Sequence, residues 1–164
     1  MHILLTGFSN TSAQQLLSFC SGEYDILILP NDKVEDARLL KEQLLRKKYD
    51  LICCIGQKPN IKDRVSIETM AKNVDSRITT RVNCVNLAQL FLSHGIPAKI
   101  SENAGTSYCN SLYWSGLSFA DQMRLNVAIV FIHIPFEKNI RDFNAFSEGF
   151  LGVMKVINIE GVVL

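Results

Sequence analysis

Two residues in this chain have both the type and the setting to do covalent chemistry. Cys109 stands in the stretch Ser101-Glu-Asn-Ala-Gly-Thr-Ser-Tyr-Cys-Asn-Ser-Leu-Tyr-Trp114, which reads as the end of a strand, a turn of small residues and the start of a helix. Gly105 permits backbone angles that other residues resist. Thr106 or Ser107 can cap the helix. A thiol in the first turn feels the positive end of the helix dipole, which favours thiolate, the nucleophilic form. Such a thiolate attacks a carbonyl and splits a hydrolysis into acylation and deacylation. The Cys109 amide at the helix start is a natural oxyanion donor. His133 lies in the apolar run Ala128-Ile-Val-Phe-Ile-His-Ile-Pro135. An imidazole at the carboxyl end of a strand can take the thiol proton and return it to a leaving amine. Pro135 keeps the exit from that strand extended. The bland readings are a small core thiol and a hydrogen-bonded rim histidine, which is what most such residues are.

The elements that must position these groups follow from the apolar pattern. His2 to Phe8 reads as a buried first strand, and Ser12 caps a short helix over Ala13 to Phe19. Tyr24 to Leu29 is a second strand, and Glu35 to Lys48 is an amphipathic helix with Ala37, Leu39, Leu40, Leu44 and Leu45 near helical period. Asp50 to Gly56 is a continuous apolar run, suited to a strand buried on both faces. Val65 to Lys72 and Val74 to Ile78 read as strands, Cys84 to His94 as a helix, and Pro97 to Ser101 as the strand before the cysteine turn. The helix behind Cys109 spans Ser107 to about Leu117, a loop follows at Gln122 to Asn126, and a last helix covers Asn144 to Ile157. The apolar tail from Glu160 packs on a neighbour or frays. Alternating strands and helices predict an α/β fold, a sandwich with helices on both faces of the sheet. Ligands in such sheets sit at strand carboxyl ends, where Gly56-Gln57, Ala104-Gly105 and His133 converge.

Composition narrows the classes. A chain of 164 residues is most simply one domain, 1–164, with enough length to bury a core without staples. Hydrophobic residues make up 48% and charged residues 20%, the balance of a globular protein. Seventeen basic side chains against sixteen acidic ones leave a formal charge of +1, so neither nucleic acid nor a membrane surface is an expected partner. No apolar run approaches the roughly 20 residues of a membrane span, and Met1 to Phe8 lacks the flanks of a signal peptide. Five cysteines without framework spacing fit a reduced, cytoplasmic setting. Cys53 and Cys54 point to opposite faces of a strand, and with Cys20 and Cys84 they read as packing. No Cys-x-x-Cys or His-Glu-x-x-His pattern is present, so no zinc site is expected.

Several fragments occur in an order that resembles a known family. They are Thr6-Gly-Phe8, Ile55-Gly-Gln57, Val65-Ser-Ile-Glu-Thr-Met-Ala-Lys-Asn73, Asp75-Ser-Arg-Ile78, Ala104-Gly-x-x-x-Cys-Asn110 and Phe131-Ile-His-Ile-Pro135. The chain resembles a shortened, divergent pyroglutamyl peptidase I, the pyrrolidone-carboxylate peptidases. The resemblance implies a three-layer α/β/α sandwich with a central mixed, mostly parallel sheet, of the phosphorylase/hydrolase-like kind. It implies that Cys109, His133 and Glu68 form a catalytic triad, Glu68 standing five residues before Asn73 as the family's glutamate does. Glu102 is a competing acid without a family counterpart. Phe8, Gln57, Asn73, Arg77, Ile78 and Tyr108 are the implied substrate-binding positions, with Arg77 polarising the scissile carbonyl or holding its loop.

The implied activity is removal of an N-terminal pyroglutamyl residue from small peptides with a blocked N-terminus, with no metal or organic cofactor and a possible homodimer or homotetramer. Two departures leave alternatives open. Phe8 is followed by Ser9, Asn10 and Thr11 rather than by a second pocket aromatic, and Ser107 stands where several members have Phe. The family's long insertion after Arg-Ile is also absent. A cysteine amidase for another small cap, or a silent binding or assembly module on the same fold, are the other readings.

Overall fold

The sheet that positions these residues is built from apolar runs whose neighbours are set by backbone pairing. The computed structural model describes residues 1–157 and 161–162. Its strands are β1 (Ile3–Phe8), β2 (Asp25–Leu29), β3 (Leu51–Lys58), β4 (Val65–Glu68), β5 (Met70–Lys72), β6 (Arg77–Thr79), β7 (Ala98–Ser101) and β8 (Ala128–Pro135). The helices are α1 (Ser12–Phe19), α2 (Lys33–Arg46), α3 (Cys84–Ser93), α4 (Tyr108–Gln122) and α5 (Phe143–Val156). Six strands form one sheet in the order β2-β1-β3-β8-β4-β7, and β5 and β6 form a separate hairpin. Every pairing in the large sheet is parallel except β4 with β8. The sheet is therefore mixed and mostly parallel, with helices on both faces.

The central strands β3 and β8 are apolar through most of their length because both faces are covered. On one face, Leu5, Cys53, Ile55, Val130 and Ile132 pack with Leu16 and Leu17 of α1, Phe91 of α3 and Phe150 of α5. On the other, Leu4, Phe8, Ile52, Cys54, Ile129 and Phe131 pack with Leu40 of α2 and Leu112, Tyr113 and Leu117 of α4. The four cysteines read as packing are buried, and Cys53 and Cys54 do face opposite layers. Each fully buried leucine or phenylalanine here is worth about 2 kcal/mol in transfer free energy.

Several boundaries differ from expectation for physical reasons. Thr11, not Ser12, precedes α1, and neither forms a side-chain cap; the Ser12 hydroxyl donates instead to the Pro135 carbonyl at 2.7 Å. Helix α2 begins at Lys33 because the Asp32 carboxylate accepts from the amides of Val34 and Glu35. Helix α4 runs on to Gln122 because its apolar face continues to the buried Ala120, and the chain turns only at Arg124, whose φ is 51°. The segment from Val65 breaks into two strands after Glu68, so that β5 leaves the sheet and pairs antiparallel with β6. Of the C-terminal tail, Val162 is buried and its carbonyl accepts from the Asn83 amide at 2.8 Å. The rest of that apolar tail lies outside the described residues.

One topological point bears on the site. Strands β4 and β7 run against the other four, so the loop after β7 does not leave from the edge at which β3 and β8 end. Ser101 is level with Phe131 through their common neighbour Glu68.

Candidate active site

Strand β8 carries His133 at its sixth position, paired with Gly56 of β3 on one side and Ser66 of β4 on the other. Side chains alternate along a strand, so His133 shares a face with Phe131, and their ring centroids are 4.9 Å apart. Glu68, on the same face of β4, is 0% exposed, and His133 is 3% exposed. His133 Nδ1 donates to Glu68 Oε1 at 2.8 Å. With a carboxylate as acceptor, Nδ1 holds the proton and Nε2 keeps its lone pair.

Glu68 is the hub of this region. Its Oε1 also accepts from Ser66 Oγ and Lys58 Nζ, each at 3.3 Å, and its Oε2 accepts from the Asn103 amide at 3.1 Å. The Tyr113 hydroxyl, from α4, donates to the Glu68 main-chain carbonyl at 3.0 Å. Burial by itself would push the carboxyl up. Hydrogen bonds from His133 and Ser101, with the nearby Lys58 charge, outweigh it, so Glu68 titrates below the usual glutamate value.

Cys109 is the second residue of α4 and half-buried. Gly105 precedes the helix with a φ of +88°, so the turn does need a glycine. Ser107 holds the capping position but makes no side-chain cap bond. The sulfur lies over Gly56: a methyl group there would stand 2.8 Å from it and 2.9 Å from the Phe131 ring. Sulfur and imidazole thus share Gly56 and Phe131 as neighbours. Among the described residues no hydrogen bond joins them directly, and in free enzymes such bonds are often long and tighten on substrate binding.

The ionisation of Cys109 departs from expectation. Burial pushes the thiol up to about 12, with the negative charge of Glu68 adding to the rise. Its own amide at the helix start and the Lys58 charge act in the opposite direction and are outweighed. Desolvation, a tertiary effect, outweighs the hydrogen bond from the helix-start amide. The resting group is a thiol.

The other expected positions fall in three places. Phe8, 4% exposed at the end of β1, lies in the apolar layer against which Cys109 packs. The Gln57 side chain is turned to the other face, where its Oε1 accepts from the amide and hydroxyl of Ser12 at 3.1 and 3.3 Å. Asn73, Arg77 and Tyr108 are exposed. Asn73 Oδ1 accepts from the amides of Asp75 and Ser76 and closes the β5–β6 hairpin. Arg77 pairs across that hairpin with Lys72, and the Lys33 ammonium sits 5.7 Å from the Tyr108 ring centroid. Ile78 is half-buried and helps line a cleft of about 400 Å³ with Leu117, Ala120 and Ile129, along the later turns of α4. Asn110 fastens the hairpin to the start of α4, accepting from the Lys72 amide at 2.9 Å and donating to its carbonyl at 2.7 Å. Glu102 is exposed and has no part in the cluster around His133.

Sequence reasoning passed over Lys58, Ser66, Asn103 and Tyr113. Ser66 could have been found from strand alternation, two residues before Glu68. Lys58 carries no such signal, since a lysine after a strand is normally solvated.

Fold and cluster together define a class: an α/β/α sandwich with a thiol at a helix start, on the sheet face that carries a buried imidazole–carboxylate couple. A family model for pyroglutamyl peptidase matches residues 79–147. The pyrrolidone-carboxylate peptidase of Thermosipho melanesiensis is 24% identical over 176 aligned positions, covering 85% of each chain. That of Alkaliphilus oremlandii is 27% identical, covering 83% of this chain and 79% of its own. Among solved structures, the pyroglutamyl peptidase I of Bacillus amyloliquefaciens superposes with a TM-score of 0.82 at 19% identity, over 93% of each chain. The pyrrolidone carboxyl peptidase of Thermococcus litoralis gives 0.80 at 19% identity, over 94% of this chain and 92% of that one. The chain is thus similar to the pyroglutamyl peptidases in sequence and in fold. No helix among the described residues is long and apolar enough to cross a membrane.

Proposed function

We propose that the protein is a cysteine exopeptidase that hydrolyses the amide bond after an N-terminal pyroglutamyl residue. The observation that carries this reading is the buried 2.8 Å bond from His133 Nδ1 to Glu68, which leaves Nε2 as the base on the face that holds the Cys109 sulfur. Because the resting sulfur is a thiol, proton transfer to Nε2 accompanies attack on the scissile carbonyl rather than preceding it. The sulfur–carbon bond forms, the carbonyl electrons move onto oxygen, and the Cys109 amide stabilises that oxyanion. The imidazolium, balanced by Glu68, returns its proton to the departing amine as the carbon–nitrogen bond breaks. Water, deprotonated by the same nitrogen, then opens the thioester and regenerates the thiol. No step needs a metal or an organic cofactor.

A pyroglutamyl cap is a neutral lactam, which suits an apolar wall. Phe8 supplies the aromatic face of that wall, Gln57 contributes through its backbone, and Ile78 and Tyr108 bound the approach beside α4. Asn73 acts by closing the hairpin that α4 supports, and Arg77 stands exposed on that hairpin. The turn after Phe8 offers serine and asparagine where a second ring would stack, a loss of about 1 kcal/mol or more of binding. That favours a second reading, an amidase for a different small cap. The free thiols fit a reducing compartment such as the cytoplasm. The test is release of a fluorophore from a pyroglutamyl amide, set beside other acyl amides. Wild type should turn over the pyroglutamyl amide best and Cys109→Ala not at all. Equal turnover by both proteins would remove the thiol from the mechanism, and preference for another cap would select the second reading.

A further inference from the structure

Lys58 ends β3, two residues beyond the glycine that lies under the Cys109 sulfur. Its side chain is 30% exposed, yet its ammonium points inward. Nζ lies 3.3 Å from Glu68 Oε1, the oxygen that also accepts from His133, and it donates to the Asn103 carbonyl at 3.0 Å. The Asn103 amide donates in turn to Glu68 Oε2 at 3.1 Å. Lysine, carboxylate and the main chain of one residue, Asn103, thus form a closed clasp. The chain beyond Asn103 is set by the same residue, because the Gly105 amide donates to Asn103 Oδ1 at 3.1 Å. Three residues further on α4 begins, and with it comes Cys109.

We infer that Lys58 is a positioning residue of the Cys109 site, fastening the Glu68 carboxylate to the loop that delivers the nucleophile and supplying the cation that this buried acid needs while His133 is neutral. The inference rests on the peptidase reading above. A fully buried carboxylate is costly unless a cation accompanies it. Before the thiol proton reaches His133, the imidazole cannot fill that role. Among the described residues, Lys58 is the cation that touches Glu68 in that state. The titratable groups facing this cluster are Glu68 from β4, His133 from β8, Cys109 and Tyr113 from α4, Cys54 from β3 and Cys84 from α3. Of the charges that act on the Cys109 sulfur, Glu68 holds the proton on and Lys58 helps it leave.

The test replaces Lys58 and follows two readouts. The first is the rate of Cys109 alkylation by iodoacetamide at pH 8, which needs no substrate. The second is kcat and KM on the pyroglutamyl amide. With Lys58→Gln the alkylation rate should fall about threefold to tenfold, since each unit of thiol titration is tenfold in thiolate. kcat should fall by about tenfold with little change in KM, and Lys58→Arg should restore both to within about threefold. Lys58→Met serves as the neutral variant if Lys58→Gln does not fold. Alkylation by the neutral variant that is unchanged or faster, or an arginine variant as slow as the neutral one, overturns the inference. Because alkylation is read without substrate, it stands if the pyroglutamyl amide is not cleaved; that failure would strike the peptidase reading alone.

Discussion

Gly56 lies directly beneath the Cys109 sulfur, and there is no room between them for a methyl group: it would stand 2.8 Å from the sulfur and 2.9 Å from the Phe131 ring. Glycine is required here by close approach rather than by backbone angle. Gly56→Ala should displace the thiol from His133 and lower kcat/KM by about 100-fold, as small misplacements of reacting groups do. Overpacking should also cost about 1–3 kcal/mol of stability. Kinetics on the pyroglutamyl amide and urea unfolding check the two effects, and a fully active, stable variant would show that the sulfur has another place to go.

Glu68→Gln keeps the size of the side chain but removes the charge. The amide can no longer hold His133 in one tautomer and balance its charged form. The expected loss is about 10²–10⁴-fold in kcat with a smaller change in KM. Stability should fall by about 1–3 kcal/mol as Lys58, Ser66 and the Asn103 amide lose part of their acceptor. A variant within threefold of wild type would exclude Glu68 from the reaction.

Alkaline pH should unfold this protein earlier than its neutral stability suggests. Burial raises Cys20 and Cys84 to about 11 and Cys54 and Cys109 to about 12, from an ordinary value of 9.0. Groups raised in the folded state contribute stability that is complete below the unfolded value and is lost as pH climbs through the folded one. The urea midpoint should therefore hold steady up to pH 8.5 and decline from there toward pH 11. Glu68 acts at the other end: its titration is lowered, so its contribution is present above the ordinary glutamate value of 4.5 and is lost on acidification below it. A midpoint flat from pH 8 to pH 10.5 would mean the thiols ionise without unfolding the chain.

Arg77 offers a contrast. It is exposed on the hairpin, and surface substitutions of this kind usually change stability by less than about 0.5 kcal/mol. Arg77→Ala should leave kcat/KM within about threefold. A 100-fold loss would mean that the hairpin folds over the substrate and brings the guanidinium to the carbonyl.

What could be read in advance follows a physical line. Strands β1, β3 and β8 were legible because both faces are buried and their apolar runs are continuous. Helix α3 was legible from its period. The direction of β4 was not, because four residues between two loops carry no sign of which way they pair. Neither the inward turn of Lys58 nor the protonated state of Cys109 could be read, since both depend on what distant strands place around them. The clustering of Glu68 with His133 was suggested by fragment order, and the hydrogen bond between them is a property of neighbouring strands that the fragments alone do not reveal.

The reversed course of β4 separates the acid and the imidazole from the hairpin that follows. Acid and imidazole sit on adjoining strands locked by main-chain pairing, so the sheet itself sets their relative placement. The β5–β6 hairpin, by contrast, is attached at its own base and to α4. A change in its length alters what borders the start of α4 and leaves the pairing of Glu68 with His133 as it is.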